Sequence, residues 1–136
     1  MPKDSSWSYT LVNSDSTRST LLAQMPGEGN RRHYHDNWDE WWLIIKGEWE
    51  FEYDNKLLNA SKGDLIYLKR NTIHKIKAIG EHLSVRMAVS RDDVEHIYLE
   101  KDGNPHQEMC QKSQRNFWSI KPSNLIVVNQ TYTYRP

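Results

Sequence analysis

The segment from Glu48 to Tyr53 constrains the fold of this 136-residue chain more than any other. Three large aromatic residues, Trp49, Phe51 and Tyr53, alternate in it with three glutamates. Successive side chains of a β-strand point to opposite faces of the sheet, so a strand would separate the aromatic face from the acidic one. A helix would mix the two around its circumference. The alternation therefore predicts a strand with one buried and one solvated face.

Segments of this kind recur along the chain at intervals of about ten residues, with turn residues between them. Asp54-Asn55-Lys56 is typical of a hairpin turn, and residues 61–64 are typical of another. The chain is therefore predicted to be all-β, an antiparallel sandwich or small barrel. Residues 101–116 are polar and are predicted to form a loop, and a last strand is expected within residues 124–134. The further strands are predicted within residues 7–13, 19–25, 41–45, 56–59, 65–68, 72–77 and 83–90.

Length and composition narrow the class of protein. At 136 residues we expect a single domain, 1–136, with a barrel core at about 20–90 and a C-terminal extension at 91–136. The 18 basic and 18 acidic residues balance, which argues against nucleic acid or a membrane surface as a partner. No apolar run approaches the roughly 20 residues of a membrane span. A single cysteine, Cys110, and an N-terminus without a signal-like apolar core favour a cytoplasmic location.

Two histidines mark a candidate metal site. His33 and His35 are two residues apart in a segment with strand character, so both rings would point to the same face. Glu40 follows five residues later. Imidazole and carboxylate together are the usual ligands of Zn, Fe, Mn, Ni or Co. The segment therefore indicates a metal site.

The spacing around these ligands resembles the first motif of the cupin superfamily. Gly27 is followed by five residues and His33-Tyr34-His35, then by four residues and Glu40, then by six residues and Gly47. Every fixed position of the motif is matched. Asp39 offers a competing carboxylate, but the six-residue count to the final glycine is correct only from Glu40.

The second cupin motif is matched in part. Gly63 and His74 stand at its spacing, whereas Lys69, Asn71 and Ala78 replace its proline, glycine and asparagine. Asn tolerates the left-handed conformation better than most residues, so Asn71 can still form the turn. The other two departures bear on the shape of the pocket rim. The resemblance covers residues 27 to about 90.

The resemblance implies a cupin-type antiparallel β-barrel, or jelly roll, with short flanking N- and C-terminal strands. It also implies one divalent transition metal ion held by His33, His35, Glu40 and His74. Fe(II) is favoured, and Zn, Mn and Ni are alternatives. The opposing interpretation is a buried hydrogen-bond cluster without metal, which would be difficult to satisfy inside a barrel.

Other side chains are candidates for substrate binding. If the ligands face inward, strand alternation places Arg31 and Trp42 on the inner side as well. Arg86 shares a face with Ser84 and is either an anchor for a carboxylate or phosphate group or a solvated surface residue. Tyr67 is the one candidate catalytic residue, with a structural core tyrosine as the alternative.

The remaining histidines, His82, His96 and His106, lack metal-type spacing and are expected at the surface. The six tryptophans and seven tyrosines are expected mainly in the core and between subunits, which favours a homodimer. Cys110 has no local histidine partner, so we expect no nucleophilic role for it.

Three functions are compatible with these features. The first is an Fe(II)-dependent dioxygenase acting on a small, anionic organic molecule. The second is a redox-neutral isomerase or lyase that uses Zn, Mn or Ni as a Lewis acid and needs a separate general base. The third is a binding or sensor protein without turnover. Fold alone does not choose among them.

Overall fold

The computed structural model describes residues 1–91, 93–99, 105–109 and 124–128, and these residues form strands, turns and bends without a helix. Within them there is accordingly no helix long and apolar enough to cross a membrane. The strands are β1 (Trp7–Asn13), β2 (Arg18–Gln24), β3 (His33–Tyr34), β4 (Glu40–Lys46), β5 (Glu48–Tyr53), β6 (Lys56–Ser61), β7 (Asp64–Leu68), β8 (His74–Ile79), β9 (Ser84–Ser90), β10 (Glu95–Leu99), β11 (Pro105–Met109) and β12 (Asn124–Val128).

The strands form two six-stranded sheets. One has the order β1-β2-β9-β4-β7-β12 and the other has the order β11-β10-β3-β8-β5-β6. The predicted all-β jelly-roll architecture is confirmed. Among the described strands, pairing is antiparallel except between β12 and β7, which run parallel. These two strands are far apart in the chain, so no hairpin dictates their relative direction.

The prediction of a loop over residues 101–116 is wrong at Pro105–Met109, which forms β11. This segment pairs with β10, from Glu95↔Met109 to Leu99↔Pro105. Its sequence is too polar to indicate a strand by itself. The pairing with β10, and not the composition, makes this segment a strand.

Local residue choices explain the turns. Asp54 and Asn55 have φ values of 44° and 63°, as the two-residue hairpin turn between β5 and β6 requires. Gly47 has a φ of 78°, and a Cβ there would lie 2.0 Å from Oγ of Ser84. That hydroxyl donates to the carbonyl of Glu48 at 3.3 Å. Gly47 thus lets the end of β4 approach β9 closely.

The core lies between the inward faces of the two sheets. Trp49 and Phe51 are completely buried, which confirms the predicted aromatic face of β5. Large aromatic side chains of this kind compensate for the few aliphatic residues. The cluster consists of Trp42, Ile44, Trp49, Phe51, Ala60, Ile66, Leu68, Ile76 and Ala78.

Candidate metal centre and adjoining cavity

The four predicted ligands lie in three strands, β3, β4 and β8, or directly after one of them. His33 lies in β3, His35 follows that strand directly, Glu40 begins β4 and His74 begins β8. His33 and His74 are register partners across the pair of strands. All four residues are buried, and one donor atom from each lies within 4.8 Å of the others. The structure thus brings together the residues that the motif spacing indicated.

The turn before His74 joins the second motif to the first. Asn71 has a φ of 65°, so it adopts the left-handed conformation expected of it. Its backbone N–H donates to the carbonyl of His35 at 2.6 Å. The turn therefore fixes the position of one ligand-bearing segment relative to the other.

Backbone carbonyl groups orient all three imidazole rings. In each ring Nδ1–H donates to a carbonyl oxygen, so that in the neutral imidazole Nε2 carries the lone pair. The carbonyls belong to Arg31 for His33 (2.7 Å), Glu95 for His35 (2.7 Å) and Thr72 for His74 (2.8 Å). This arrangement is the one that metal-binding histidines use to fix their tautomer.

The environment of His33 and of Glu40 favours the protonation states that metal ligands need. Burial, together with the neighbouring His74, lowers the pKa of His33 to about 2. Burial alone would raise the pKa of Glu40, but its contacts with His35 and His74 hold that pKa well below its usual range. Burial also opposes protonation of His35, but the hydrogen bond and charge of Glu40 outweigh it and raise the pKa of His35. The cluster is therefore built around one firmly ionised carboxylate.

The residues fit a metal ion. Nε2 of His33 and Nε2 of His74 are buried and have no hydrogen-bond partner among the described residues. Such orphaned acceptors are costly unless something binds them. Nε2 of His35 lies 2.9 Å from Oε2 of Glu40, and Nε2 of His74 lies 3.6 Å from the same oxygen. Three nitrogens and one carboxylate suit a divalent transition metal.

The competing carboxylate, Asp39, is committed elsewhere. It accepts hydrogen bonds from the phenol of Tyr67 at 2.7 Å and from the backbone N–H of Arg70 at 2.8 Å. Its side chain is 30% exposed and also pairs with the Arg70 guanidinium. Glu40, not Asp39, is therefore the carboxylate of the cluster.

A cavity of about 370 Å³ adjoins the cluster and shares His33 and Glu40 with it. This volume matches that of sites for small organic molecules. Trp42 also lines the cavity, as the strand alternation predicted, and so does Arg86, for which the sequence left an inner and a solvated position open. Much of the rest of the wall is polar. The hydroxyl and amide side chains along it are Ser8, Thr10, Thr20, Gln24, Asn30 and Ser90.

Arg86 is a buried cation at one wall of this cavity. It is 3% exposed, and its Nε has no hydrogen-bond partner among the described residues. Its guanidinium carbon lies 4.6 Å from the ring centre of Trp49 and 5.5 Å from that of Trp42, and Nη1 donates to Gln24. Burial lowers the pKa of Arg86 to about 10, with the charge of Glu40 opposing the shift. The side chain is therefore still charged at neutral pH.

His96 lies in the cavity wall, and the expectation that it is a surface residue is wrong. Its ring centre lies 4.6 Å from that of His35 and 4.9 Å from that of His33. The reason is that β10 pairs with β3, with Tyr98 opposite His33. Burial, together with His35, lowers the pKa of His96 to about 4. The two-residue spacing of His96 and Tyr98 was the available signal, since both line the cavity.

Arg31 does not face inward as predicted. It is exposed, its guanidinium carbon stacks 3.9 Å from the ring centre of Tyr98, and it is not among the cavity-lining residues. Arg31 precedes β3, in a segment without regular strand structure. The alternation that holds within a strand does not extend to it.

Tyr67 also points away from the site. It alternates in β7 with Ile66 and Leu68, whose side chains belong to the core. Its phenol donates to Asp39, and this hydrogen bond raises the pKa of Tyr67. Neither sequence interpretation of Tyr67 is correct, because its phenol points neither into the site nor into the core and belongs to a surface network.

The outcome for the other candidate residues is mixed. His82 is exposed, as expected. The tryptophans divide between the core, which includes Trp42 and Trp49, and the surface, where Trp38 is 37% exposed. Cys110 and the side chain of His106 lie outside the described residues.

Comparison with known proteins agrees with this architecture. The family model described as Cupin domain matches residues 20–90, just over half of the chain. A search of curated proteins finds no match. Among solved structures, a cupin 2 domain-containing protein from Halorhodospira halophila has 14% identity, a TM-score of 0.62 and 72% coverage of both chains.

Two further solved structures are similar. KdgF from Halomonas sp. has 18% identity and a TM-score of 0.56, with 61% of this chain and 76% of that chain covered. A putative sugar phosphate isomerase from Acidithiobacillus ferrooxidans has 16% identity and a TM-score of 0.56, with 68% and 67% covered. At such identities the likeness shows the fold alone.

Proposed function

This chain belongs to the cupin family, and we propose that it is a metal-dependent enzyme that acts on a small, anionic, hydroxylated molecule by redox-neutral proton transfer. Isomerases and lyases are the enzyme classes that carry out such reactions. The observation that carries the proposal is the buried Arg86 guanidinium in a polar cavity. This cavity shares His33 and Glu40 with the four-residue ligand cluster.

The cavity wall supports the substrate class. A guanidinium presents a planar fork of N–H groups that matches a carboxylate or phosphate. Arg86 is held against Trp42 and Trp49 and has an unpartnered Nε. The hydroxyl and amide side chains along the wall offer hydrogen bonds to hydroxyl groups of a substrate.

The ligand cluster supports the metal requirement. His33, His35, Glu40 and His74 would hold one divalent ion, with Zn, Mn, Ni and Fe all compatible with the donor set. Such an ion supplies Lewis-acid polarisation of a substrate carbonyl or hydroxyl oxygen. The carbonyl groups that accept from each Nδ1–H keep the three rings aimed at it.

His96, which is an imidazole outside the ligand cluster, supports proton transfer. Redox-neutral cupin chemistry needs a general base that is not itself a ligand. His96 lines the cavity next to the ligand rings but does not belong to the cluster of four. It is therefore placed to take a proton from a substrate carbon or hydroxyl and return it elsewhere.

The test compares His96→Gln with the matched variant His82→Gln, which alters an exposed histidine. We expect His96→Gln to keep its metal and to lose about 10²–10⁴ in turnover of a hydroxy-acid substrate found by panel screening. His82→Gln should match the wild type. Equal turnover in both variants would remove His96 from the reaction, and loss of metal from His96→Gln would make it a structural residue.

Fe(II)-dependent dioxygenation is the second candidate. It is favoured by the four-ligand set, which on a six-coordinate ion leaves two positions for substrate and O₂. Turnover of the same panel with and without oxygen separates the two. Activity that persists anaerobically supports the redox-neutral proposal, whereas strict dependence on O₂ with stoichiometric oxygen consumption replaces it.

A further inference from the structure

We propose that the cavity recognises a ligand with two anionic groups, with Arg86 binding one group and Arg18 binding the other. This inference rests on the proposed function and narrows its substrate class. Arg18 has no part in the metal cluster or in the motifs that identified the family.

Arg18 is a second buried guanidinium in the cavity wall. It is 8% exposed, although it begins a strand next to a surface turn. Its Nη1 is buried without a hydrogen-bond partner among the described residues. Within that part of the chain it forms no ion pair. A buried guanidinium with an unpartnered N–H group and no counter-ion is costly, so this position indicates a site for an anionic ligand.

The strand register separates the two cations. Arg18 pairs with Ser90, and Leu22 pairs with Arg86, so the two arginines stand four residues apart on the same face. At about 3.3 Å per residue this is about 13 Å along the sheet. A carboxylate bound by Arg86 therefore lies far from the backbone of Arg18, and the two arginines can bind different anionic groups.

The same register places Arg18 on the level of the metal ligands. Trp41 pairs with Val89, so one residue further along the strands Glu40 stands beside Ser90, which is itself the partner of Arg18. Two strand spacings of about 4.8 Å separate the Arg18 and Glu40 backbones. A ligand held at the metal would thus lie between Arg18 on one side and Arg86 deeper in the cavity.

The charges of the cavity support the same conclusion. Glu40 is the one carboxylate among the described residues that line it, against the two guanidinium groups of Arg18 and Arg86. The wall therefore has an excess positive charge before any metal binds, and a divalent ion increases it. In a buried site such an excess favours ligands with at least two negative charges.

The test is calorimetric titration of the metal-loaded, dialysed protein with a graded series of anions. Malate presents two carboxylates and 3-phosphoglycerate a carboxylate and a phosphate, whereas lactate presents one carboxylate. We expect at least one dianionic probe to bind tenfold or more tightly than lactate. In Arg18→Gln this advantage should fall below about threefold, while lactate binding changes less than twofold.

Arg18→Lys keeps a positive charge at the position and should recover part of the preference for dianions over lactate. This recovery distinguishes a loss of charge from misfolding of the Arg18→Gln variant. Lys62→Gln removes an exposed charge outside the cavity and should leave all affinities unchanged. The inference is overturned if Arg18→Gln keeps the full advantage or weakens lactate and the dianions equally. It is also overturned if lactate binds in an Arg86-dependent way while no dianion binds better. Absence of metal and of any anion binding would instead contradict the proposed function itself.

Discussion

Replacing Arg86 with methionine should stabilise the metal-free, ligand-free protein while removing its affinity for anions. Methionine keeps much of the length of the side chain but needs no counter-ion. Burial lowers the pKa of Arg86 from 12.5 to about 10. At about 1.4 kcal/mol per pKa unit, the buried charge costs about 3 kcal/mol of folding free energy.

Two favourable contacts are lost in the same substitution. The stacking on Trp42 and Trp49 contributes about 1 kcal/mol, and the hydrogen bond to Gln24 contributes about 1 kcal/mol. The net expectation is a gain of about 1 kcal/mol in the free energy of unfolding for Arg86→Met. The charge penalty applies at every pH below the folded-state pKa and is relieved only as the pH rises above about 10, so the gain should be constant from pH 7 to 9.

Urea unfolding of chelator-treated wild type and variant measures this difference, with Lys62→Met as a control expected to stay within about 0.5 kcal/mol of wild type. Calorimetric titration with lactate on the metal-loaded proteins gives the functional half of the result. A loss of about 2 kcal/mol or more in Arg86→Met would refute the reasoning, because it would make Arg86 a structural residue. Unchanged lactate affinity would refute its role as an anion anchor.

Three further outcomes are expected. Gly47→Ala should lower the free energy of unfolding by about 2 kcal/mol, since its Cβ would lie 2.0 Å from a serine hydroxyl of β9 and its φ is positive; urea unfolding equal to wild type would contradict the close approach. Tyr67→Phe should cost about 1 kcal/mol through its lost hydrogen bond and leave metal content and turnover intact; a large loss of turnover would return Tyr67 to the site. Metal-free protein should lose stability as the pH falls below 6.5, because the unfolded chain binds protons that folded His33 and His96, with pKa values of about 2 and about 4, do not bind. The raised pKa of His35 affects stability only above pH 6.5, since both states hold that proton below it. The two histidines give a slope of about 2.5 kcal/mol per pH unit near pH 5 in urea unfolding, and stability that rises toward pH 5 would contradict this prediction.

The sequence was most informative where one periodic pattern decided the structure. Alternation in Glu48–Tyr53 predicted a strand with a buried aromatic face, because side-chain direction in a strand follows from its backbone alone. The two-residue spacing of His33 and His35 predicted two rings on one face for the same reason, whereas Glu40 and His74 joined the predicted cluster through the resemblance to the cupin motifs.

Prediction failed where the position of a residue depends on pairing between distant strands. His96 reaches the cavity because β10 pairs with β3. The two-residue spacing of His96 and Tyr98 indicates a shared face but does not reveal the strand beside which it lies. Arg18 reaches the cavity because β2 pairs with β9. The prediction for Arg31 failed for a local reason. Strand alternation was applied to a residue that lies before the strand begins.

The most direct test of the central claim is the metal content of the protein purified without added metal, measured by elemental analysis beside a His33→Ala, His74→Ala double variant. We expect about one equivalent of a divalent transition metal per chain in the wild type and a loss of most of it in the double variant. Less than about 0.2 equivalents of every transition metal in the wild type, together with no uptake when Zn, Mn, Fe(II) or Ni is supplied, would contradict it.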